Sequence, residues 1–273
     1  MLTDIKLRVK ANPVLKRVAL ALTRIGNPVF GVFRLSALLR YAEFAADWVR
    51  FTRAGGRAPL LDFYPCLFDK SVVSGIDTHY FHQAVWAFRH IKERAVASHV
   101  DIASQVNFVG LLTCITHVTF VDIRPLELDI PNYTGLRGSI VELPFSDASI
   151  ESLSCLHVIE HIGLGRYGDP IDPLGPQRAG REIVRVMRAG GFAYISTPIG
   201  RPRVQFNGQR VFAIQEVRDL FEGMTLVDFS MIDGRGVLHM SMDPAVADID
   251  ERGAGLDFGL GMFVFQKPGA SSR

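Results

Sequence analysis

The chain predicts an α/β protein built on parallel strands, and three stretches carry that prediction. Ser152 to Val158 is an apolar run of strand length, stopped by the charged pair Glu160-His161. Arg178 to Met187 repeats apolar residues at helical spacing and is closed by Arg188-Ala-Gly190-Gly191. Phe192 to Ser196 is a second apolar run, ending at Thr197-Pro198. Strand, loop, helix, Gly-Gly and strand form one βαβ unit, which requires neighbouring parallel strands and a right-handed crossover. Ligands of open α/β sheets bind beyond the carboxyl ends of the strands. Glu160, His161 and the loop Gly163 to Pro173, rich in glycine and charge, therefore stand where chemistry is expected.

Apolar content of 48% with 21% charged residues describes a chain that buries a core, not a disordered one. The formal net charge of +2 is unevenly spread. The first 40 residues hold eight basic side chains and one acid, Asp4, so the remainder is mildly acidic. A slightly acidic body without a basic, aromatic-laced stripe disfavours nucleic acid as a partner. The three cysteines, Cys66, Cys114 and Cys155, form no C-x-x-C pair. Cys114 and Cys155 fall in apolar runs and are expected to be buried thiols, and the odd count favours a reducing compartment. No apolar stretch approaches the roughly 20 residues of a spanning helix, and no secretion signal is read, so the expected location is cytoplasmic.

In chain order, residues 4 to 25 alternate basic and apolar positions at near-helical spacing, divided by Pro13. Such a segment either caps the fold with a solvated basic rim or lies peripherally on an anionic membrane. Leu35 to Phe51 reads as a helix burying Leu38, Leu39, Ala42, Phe44, Ala45 and Val49. Ala54 to Pro59 is a linker, and Leu60 to Lys70 is irregular. Asp77 is the N-cap of a helix over Thr78 to Ala97 whose Tyr80, Phe81, Val85, Trp86, Phe88 and Ile91 form an apolar stripe. The first strand lies near His99, and the second, His117 to Val121, ends in Asp122. Gly138 to Leu143 supplies the third, and the βαβ unit the fourth and fifth. Ala213 to Phe221 is a helix, and Leu226 to Ile232 with Gly261 to Gln266 gives a final hairpin-like pair. Seven strands result. Residues 1–97 form a helical N-terminal extension or cap, 98–267 the α/β domain and 268–273 a tail.

The run LPFSDASIESLSCLHVIEH followed by REIVRVMRAGGFAYISTP resembles the middle of class I S-adenosylmethionine-dependent methyltransferases. In that family an "LPF-x-D-x-S" turn, a strand ending in "EH" and an "R-V-x-x-x-G-G" helix end recur in this order. The longer string HVIEHIGLGRYGDPIDPLG is similar to a subgroup often associated with surface-polysaccharide genes. The resemblance covers about residues 98 to 267 and implies a Rossmann-like doubly wound seven-stranded sheet with S-adenosylmethionine as cofactor. It implies cofactor contacts at Asp101, Ala103, Ser104, Asp122, Ile123, Ser139, Ile140 and His157. One motif departs from the family: where D-x-G-x-G-x-G is usual, Asp101 is followed by Ala103, Gln105 and Asn107 at the glycine positions. Asp122, 21 positions after Asp101, is the acid expected to accept hydrogen bonds from ribose hydroxyls. A helix ahead of the first strand commonly covers the cofactor in this family, which makes His79, Tyr80, His82 and Gln83 second-rank candidates.

Methyl transfer to a hydroxyl needs alignment and a base. His161 is the expected base, with Asp169 or Asp172 orienting it or acting in its place. Glu160, Arg166, Tyr167, Asn207 and Arg210 are expected to bind substrate, and the guanidiniums, with Arg201 and Arg203, suit a phosphate or sugar-nucleotide. Glu160, Asp169 and Asp172 could instead gather a divalent ion. The leading expectation is O-methylation of a sugar or other glycan precursor. A methyltransferase-fold binding or scaffold protein, and a sugar-nucleotide-using transferase, are the alternatives.

Overall fold

The computed structural model describes residues 36–70, 75–245 and 258–269. The chain divides into two compact units, Met1–Gly75 and Ile76–Arg273. The basic segment over residues 4 to 25 lies outside the described residues, and so does most of the charged stretch from Asp243 to Phe258. Among the described residues no helix is long and apolar enough to cross a membrane.

In the first unit, α1 (Ser36–Arg53) is followed by a short 3-10 turn at Leu60–Asp62. The expected buried face is rotated: Leu38 and Leu39 are exposed, whereas Phe44 and Trp48 pack edge-on against Phe63. The Trp48 indole N–H donates to the Ala58 carbonyl at 2.9 Å, and Arg40 donates to Leu67 O at 3.0 Å. A longer aromatic stripe, carrying one polar handle, sets the face.

The second unit opens with α2 (Thr78–Arg94), and the Asp77 carboxylate accepts from the Tyr80 amide as an N-cap should. Gln83, Trp86, Ala87 and Ile91 are its buried side, while Phe81 and Val85 of the expected stripe are substantially exposed. The strands are β1 (Ser98–Ile102), β2 (His117–Asp122), β3 (Tyr133–Arg137), β4 (Ile150–Leu156) and β5 (Met187–Ile199). Then come β6 (Arg203–Gln205), β7 (Gln209–Val211), β8 (Thr225–Ile232), β9 (Leu238–His239) and β10 (Gly259–Gln266). Helices α3 (Val106–Leu112), α4 (Gly175–Val186) and α5 (Ile214–Leu220) connect them.

The main sheet has eight strands in the order β3-β2-β1-β4-β5-β10-β8-β9, not the expected seven. The extra member is the two-residue β9, too short to leave a periodic signal. β3, β2, β1, β4 and β5 run parallel, and β10 is antiparallel to both β5 and β8. β6 and β7 form a separate antiparallel hairpin.

The third strand was misplaced. Tyr133–Arg137 pairs with β2, and the apolar Ile140 and Leu143 turn down into the core instead. The edge strand is half-exposed and contains Gly135, so it lacks the apolar run by which β-strands are read. Cys155 is buried as expected, but Cys114 is exposed in the turn after α3.

Two apolar clusters cover the sheet's faces. α4 and α5 contribute Ile183, Val186, Val217 and Leu220 to one. α2 and α3 contribute Trp86, Ile91, Phe108 and Leu112 to the other.

A buried polar chain crosses β1 and β4. Ser154 Oγ donates to Asp101 Oδ2, so it accepts from His99 Nε2 at 2.8 Å, and His99 Nδ1 accepts from Ser152 Oγ at 2.8 Å. Burial pushes His99 down to about 3 and Asp101 up to about 6. Between the ordinary histidine value of 6.5 and about 3, the unfolded chain binds a proton that folded His99 refuses, so acidification removes stability. Asp101 acts oppositely: between about 6 and 3.8 the folded chain binds the extra proton, so acidification adds stability. His99→Gln removes only the first contribution. Its stability deficit relative to wild type is expected to shrink from pH 7 to about pH 4.5, by up to about 2 kcal/mol in urea unfolding. A deficit independent of pH would show that His99 is not held neutral.

Candidate functional site

A cavity of about 450 Å³ opens at the carboxyl ends of β1, β2 and β4, within the range of small-ligand sites. Ile102, Ala103, Asp122, Ile123, Arg124, Ser139 and Ile140 line it from the ends of β1 and β2 and the segment after β3. His157, His161, Gly163, Tyr167, Asp169, Pro170, Ile171, Asp172 and Arg178 line it from the end of β4 and the loop and helix that follow.

Of the eight cofactor candidates, six line this cavity. Asp101 and Ser104 lie beneath it instead. The Asp101 carboxylate accepts from the Ser104 amide at 3.0 Å, and Ser104 Oγ accepts from the Leu156 amide at 3.1 Å, tying β1 to β4 under the floor. Ala103 takes φ of +51°, a left-handed turn for which glycine is the usual residue. Gln105 and Asn107 are exposed and outside the cavity wall, so their side chains do not fill it. Asp122 Oδ1 accepts from the Arg124 amide at 2.7 Å. That bond fixes the carboxylate, and Oδ2 has no hydrogen-bond partner among the described residues. The apolar Ile123 and Ile140 line the cavity with it, so an oxygen acceptor and apolar side chains share this wall.

The other half is built by a 3-10 turn, Ile159–His161, and the loop after it. His161 Nδ1 lies 2.8 Å from Gly208 O at the tip of the β6–β7 hairpin. A carbonyl only accepts, so Nδ1 carries the proton and Nε2 the lone pair. Burial holds this imidazole below the ordinary histidine range, against the opposing pull of Glu160. The expected orienting acids are engaged elsewhere. Asp169 accepts from the amides of Gly163 (2.7 Å), Gly165 (3.4 Å) and Tyr167 (3.3 Å). Asp172 accepts from the Leu174 amide at 3.0 Å and pairs with Arg178 Nε at 3.3 Å.

Glu160 is fully buried, and its Oε1 accepts from His157 Nδ1 at 2.6 Å. Thr197 Oγ1 donates to Oε2 at 3.4 Å. Glu160, Asp169 and Asp172 form no metal-holding group among the described residues. Tyr167 has two guanidiniums on its ring, Arg124 at 4.9 Å and Arg166 at 5.0 Å. Arg166 also donates to Gly208 O at 3.0 Å. Arg210 is buried and donates to Ile162 O at 2.6 Å, pinning the turn from behind. Asn207, at φ of +61°, occupies the hairpin tip outside the cavity.

From α2, Tyr80 and His79 stack against His157 at 5.0 and 5.9 Å between centroids. Gln83 is buried and accepts from Ser196 Oγ at 2.6 Å. Sequence reading missed Arg124, Arg178 and the Gly208 carbonyl. Arg124 stands two residues beyond the strand-end acid, a placement that could have nominated it. No sequence signal marks a carbonyl.

The architecture is that of the methyltransferase fold. A family described as Caenorhabditis protein of unknown function, DUF268, matches residues 145–242. No curated protein matches the chain in sequence. Among solved structures, one from Galdieria sulphuraria, provisionally assigned as a sarcosine dimethylglycine methyltransferase, is 16% identical with a TM-score of 0.52. That alignment covers 82% of this chain and 98% of the other. A chain from the complex of the Haloferax volcanii Trm112 methyltransferase activator with a provisionally assigned methyltransferase is also 16% identical, with a TM-score of 0.50. It covers 71% of this chain and 92% of its own length. At these identities the likeness is one of fold.

Proposed function

We propose that this protein is an S-adenosylmethionine-dependent methyltransferase that methylates a hydroxyl of a sugar or glycan precursor. The observation that carries the reading is the two-sided cavity. Asp122, Ile123 and Ile140 form a nucleoside half, and two imidazoles with an arginine-flanked tyrosine form the other. The bound cofactor supplies a methyl group on a sulfonium, ready for in-line displacement.

The chain's contribution is to align the acceptor and receive its proton. Asp122 holds the ribose diol, and Ile123 and Ile140 flank the base. His157 and His161, both in the cavity wall, are the groups that would receive the departing proton. Asp169 and Asp172 hold the loop that carries Tyr167. The acceptor class rests on the resemblance to the polysaccharide-associated subgroup and on Arg124, Arg166 and Arg178, whose guanidiniums suit a sugar phosphate or sugar-nucleotide. Gln105 and Asn107, at positions where the family has glycine, stay out of the cavity wall, which weighs against the scaffold alternative.

Isothermal titration with S-adenosylhomocysteine tests this. Binding is expected, and saturating ligand should raise the melting temperature, since a hundredfold excess over Kd adds about 2.7 kcal/mol. No heat and no thermal shift at millimolar ligand would remove the enzyme reading and leave the fold.

A further inference from the structure

We infer that His157, rather than His161, takes the proton from the acceptor, with Glu160 as the residue that positions it. The inference rests on the methyl-transfer reading above. Three observations converge on His157. Its Nδ1 donates to a carboxylate that is itself fully buried, at 2.6 Å, so the lone pair sits on Nε2. That Nε2 is buried with no hydrogen-bond partner, although the ring forms part of the cavity wall. Its backbone is held at φ of +56°, a conformation that a non-glycine residue keeps only when its surroundings enforce it.

A buried nitrogen acceptor left unpaired is destabilising, and a hydroxyl donor arriving in the cavity is the group that would satisfy it. His161 is placed less well. Its Nδ1 is spent on Gly208 O, and its Nε2 lies 3.9 Å from the same Glu160 oxygen. Glu160 thus faces both rings but is hydrogen-bonded to His157. The other titratable neighbours of His157 are His79 and Tyr80, stacked on it from α2.

In the proposed step the acceptor O–H bond breaks and the proton joins Nε2. The oxygen keeps the bonding electrons and bonds to the methyl carbon, while the carbon–sulfur pair stays on sulfur. The imidazolium that forms is balanced by Glu160, which Thr197 supports. Water takes the proton after the product leaves.

Two measurements on the full chain decide the matter. Nitrogen-15 spectra of the histidines at neutral pH are expected to show His157 protonated at Nδ1 and bare at Nε2, with that preference lost in Glu160→Gln. A His157 protonated at Nε2 overturns the assignment. Turnover is read as S-adenosylhomocysteine release with a panel of sugar phosphates and nucleoside-diphosphate sugars. His157→Asn, chosen because asparagine tolerates positive φ, is expected to lose at least about 100-fold in kcat. Its loss in kcat should exceed that of His161→Asn by at least tenfold. The reverse ranking overturns the inference. If the wild-type chain binds no S-adenosylhomocysteine, the methyl-transfer reading fails and takes this assignment with it. If it binds but carries the proton at Nε2, only this assignment fails.

Discussion

Asp122→Ala is expected to weaken binding of S-adenosylhomocysteine by about 100-fold while leaving the fold intact. The magnitude follows from what the carboxylate does. It ends β2 at the cavity wall, with one oxygen fixed by the Arg124 amide and the other without a partner among the described residues. A hydrogen bond to a charged group contributes about 1.5–3 kcal/mol, so losing the ribose contacts is worth one to two powers of ten. Asp122→Asn keeps a carbonyl acceptor but puts an amide donor on the other branch. It should fall between, near tenfold. The carboxylate is partly exposed and, among the described residues, bonds only the Arg124 amide in a turn, so the melting temperature should move little in either variant. Calorimetric titration beside thermal unfolding separates the two effects. Affinity within about threefold of wild type in Asp122→Ala would mean that the nucleoside does not sit against β2.

The place of Asp122 in the cavity wall was legible because it follows from position: a strand-end acid a fixed distance beyond Asp101. The βαβ unit from Ser152 to Ser196 was legible for a similar reason, since a switch from strand-like to helical apolar spacing needs no partner to be seen. β3 was not. Its residues are polar and half-exposed, held by pairing with Val118–Asp122, and pairing partners leave no local trace. The same limit applies within the site. His161 was singled out as the titratable group at a strand end, yet what separates it from His157 is which carbonyl or carboxylate each ring meets. The Gly208 carbonyl comes from 47 residues away. The glycine positions after Asp101 show the converse. Gln105 and Asn107 stand at glycine positions of the motif, but the chain turns them outward at the start of α3, so of the three only Ala103 lines the cavity.

Gly163→Ala is expected to destabilise the fold by about 3 kcal/mol and to disorganise the acceptor half of the cavity. Gly163 has φ of +77°, and a Cβ there would sit 2.0 Å from the Asp172 carbonyl oxygen. That contact cannot relax cheaply, because the two residues are also joined by the Asp172 amide donating to Gly163 O at 3.0 Å. The Gly163 amide is in turn held by Asp169 at 2.7 Å. Forcing a methyl group into this closure must push Asp172 away and open the loop that carries Tyr167, Asp169, Pro170 and Ile171. Two neighbouring glycines provide an internal scale. At Gly165, φ is +69° and a Cβ would meet the Ile171 side chain at 2.6 Å, a flexible tip that can move. At Gly168, φ is +89° and nothing lies within 4 Å, so only the backbone penalty of about 1–2 kcal/mol remains. Urea unfolding should therefore rank the alanine variants Gly163, Gly165, Gly168 from most to least destabilised. Asp122, Ile123 and Ile140 lie outside this loop, so Gly163→Ala should bind S-adenosylhomocysteine within a few-fold of wild type while losing turnover. If Gly163→Ala were no worse than Gly168→Ala, the loop would not be clamped at Asp172. The positioning of Tyr167 and its two arginines would then need another cause.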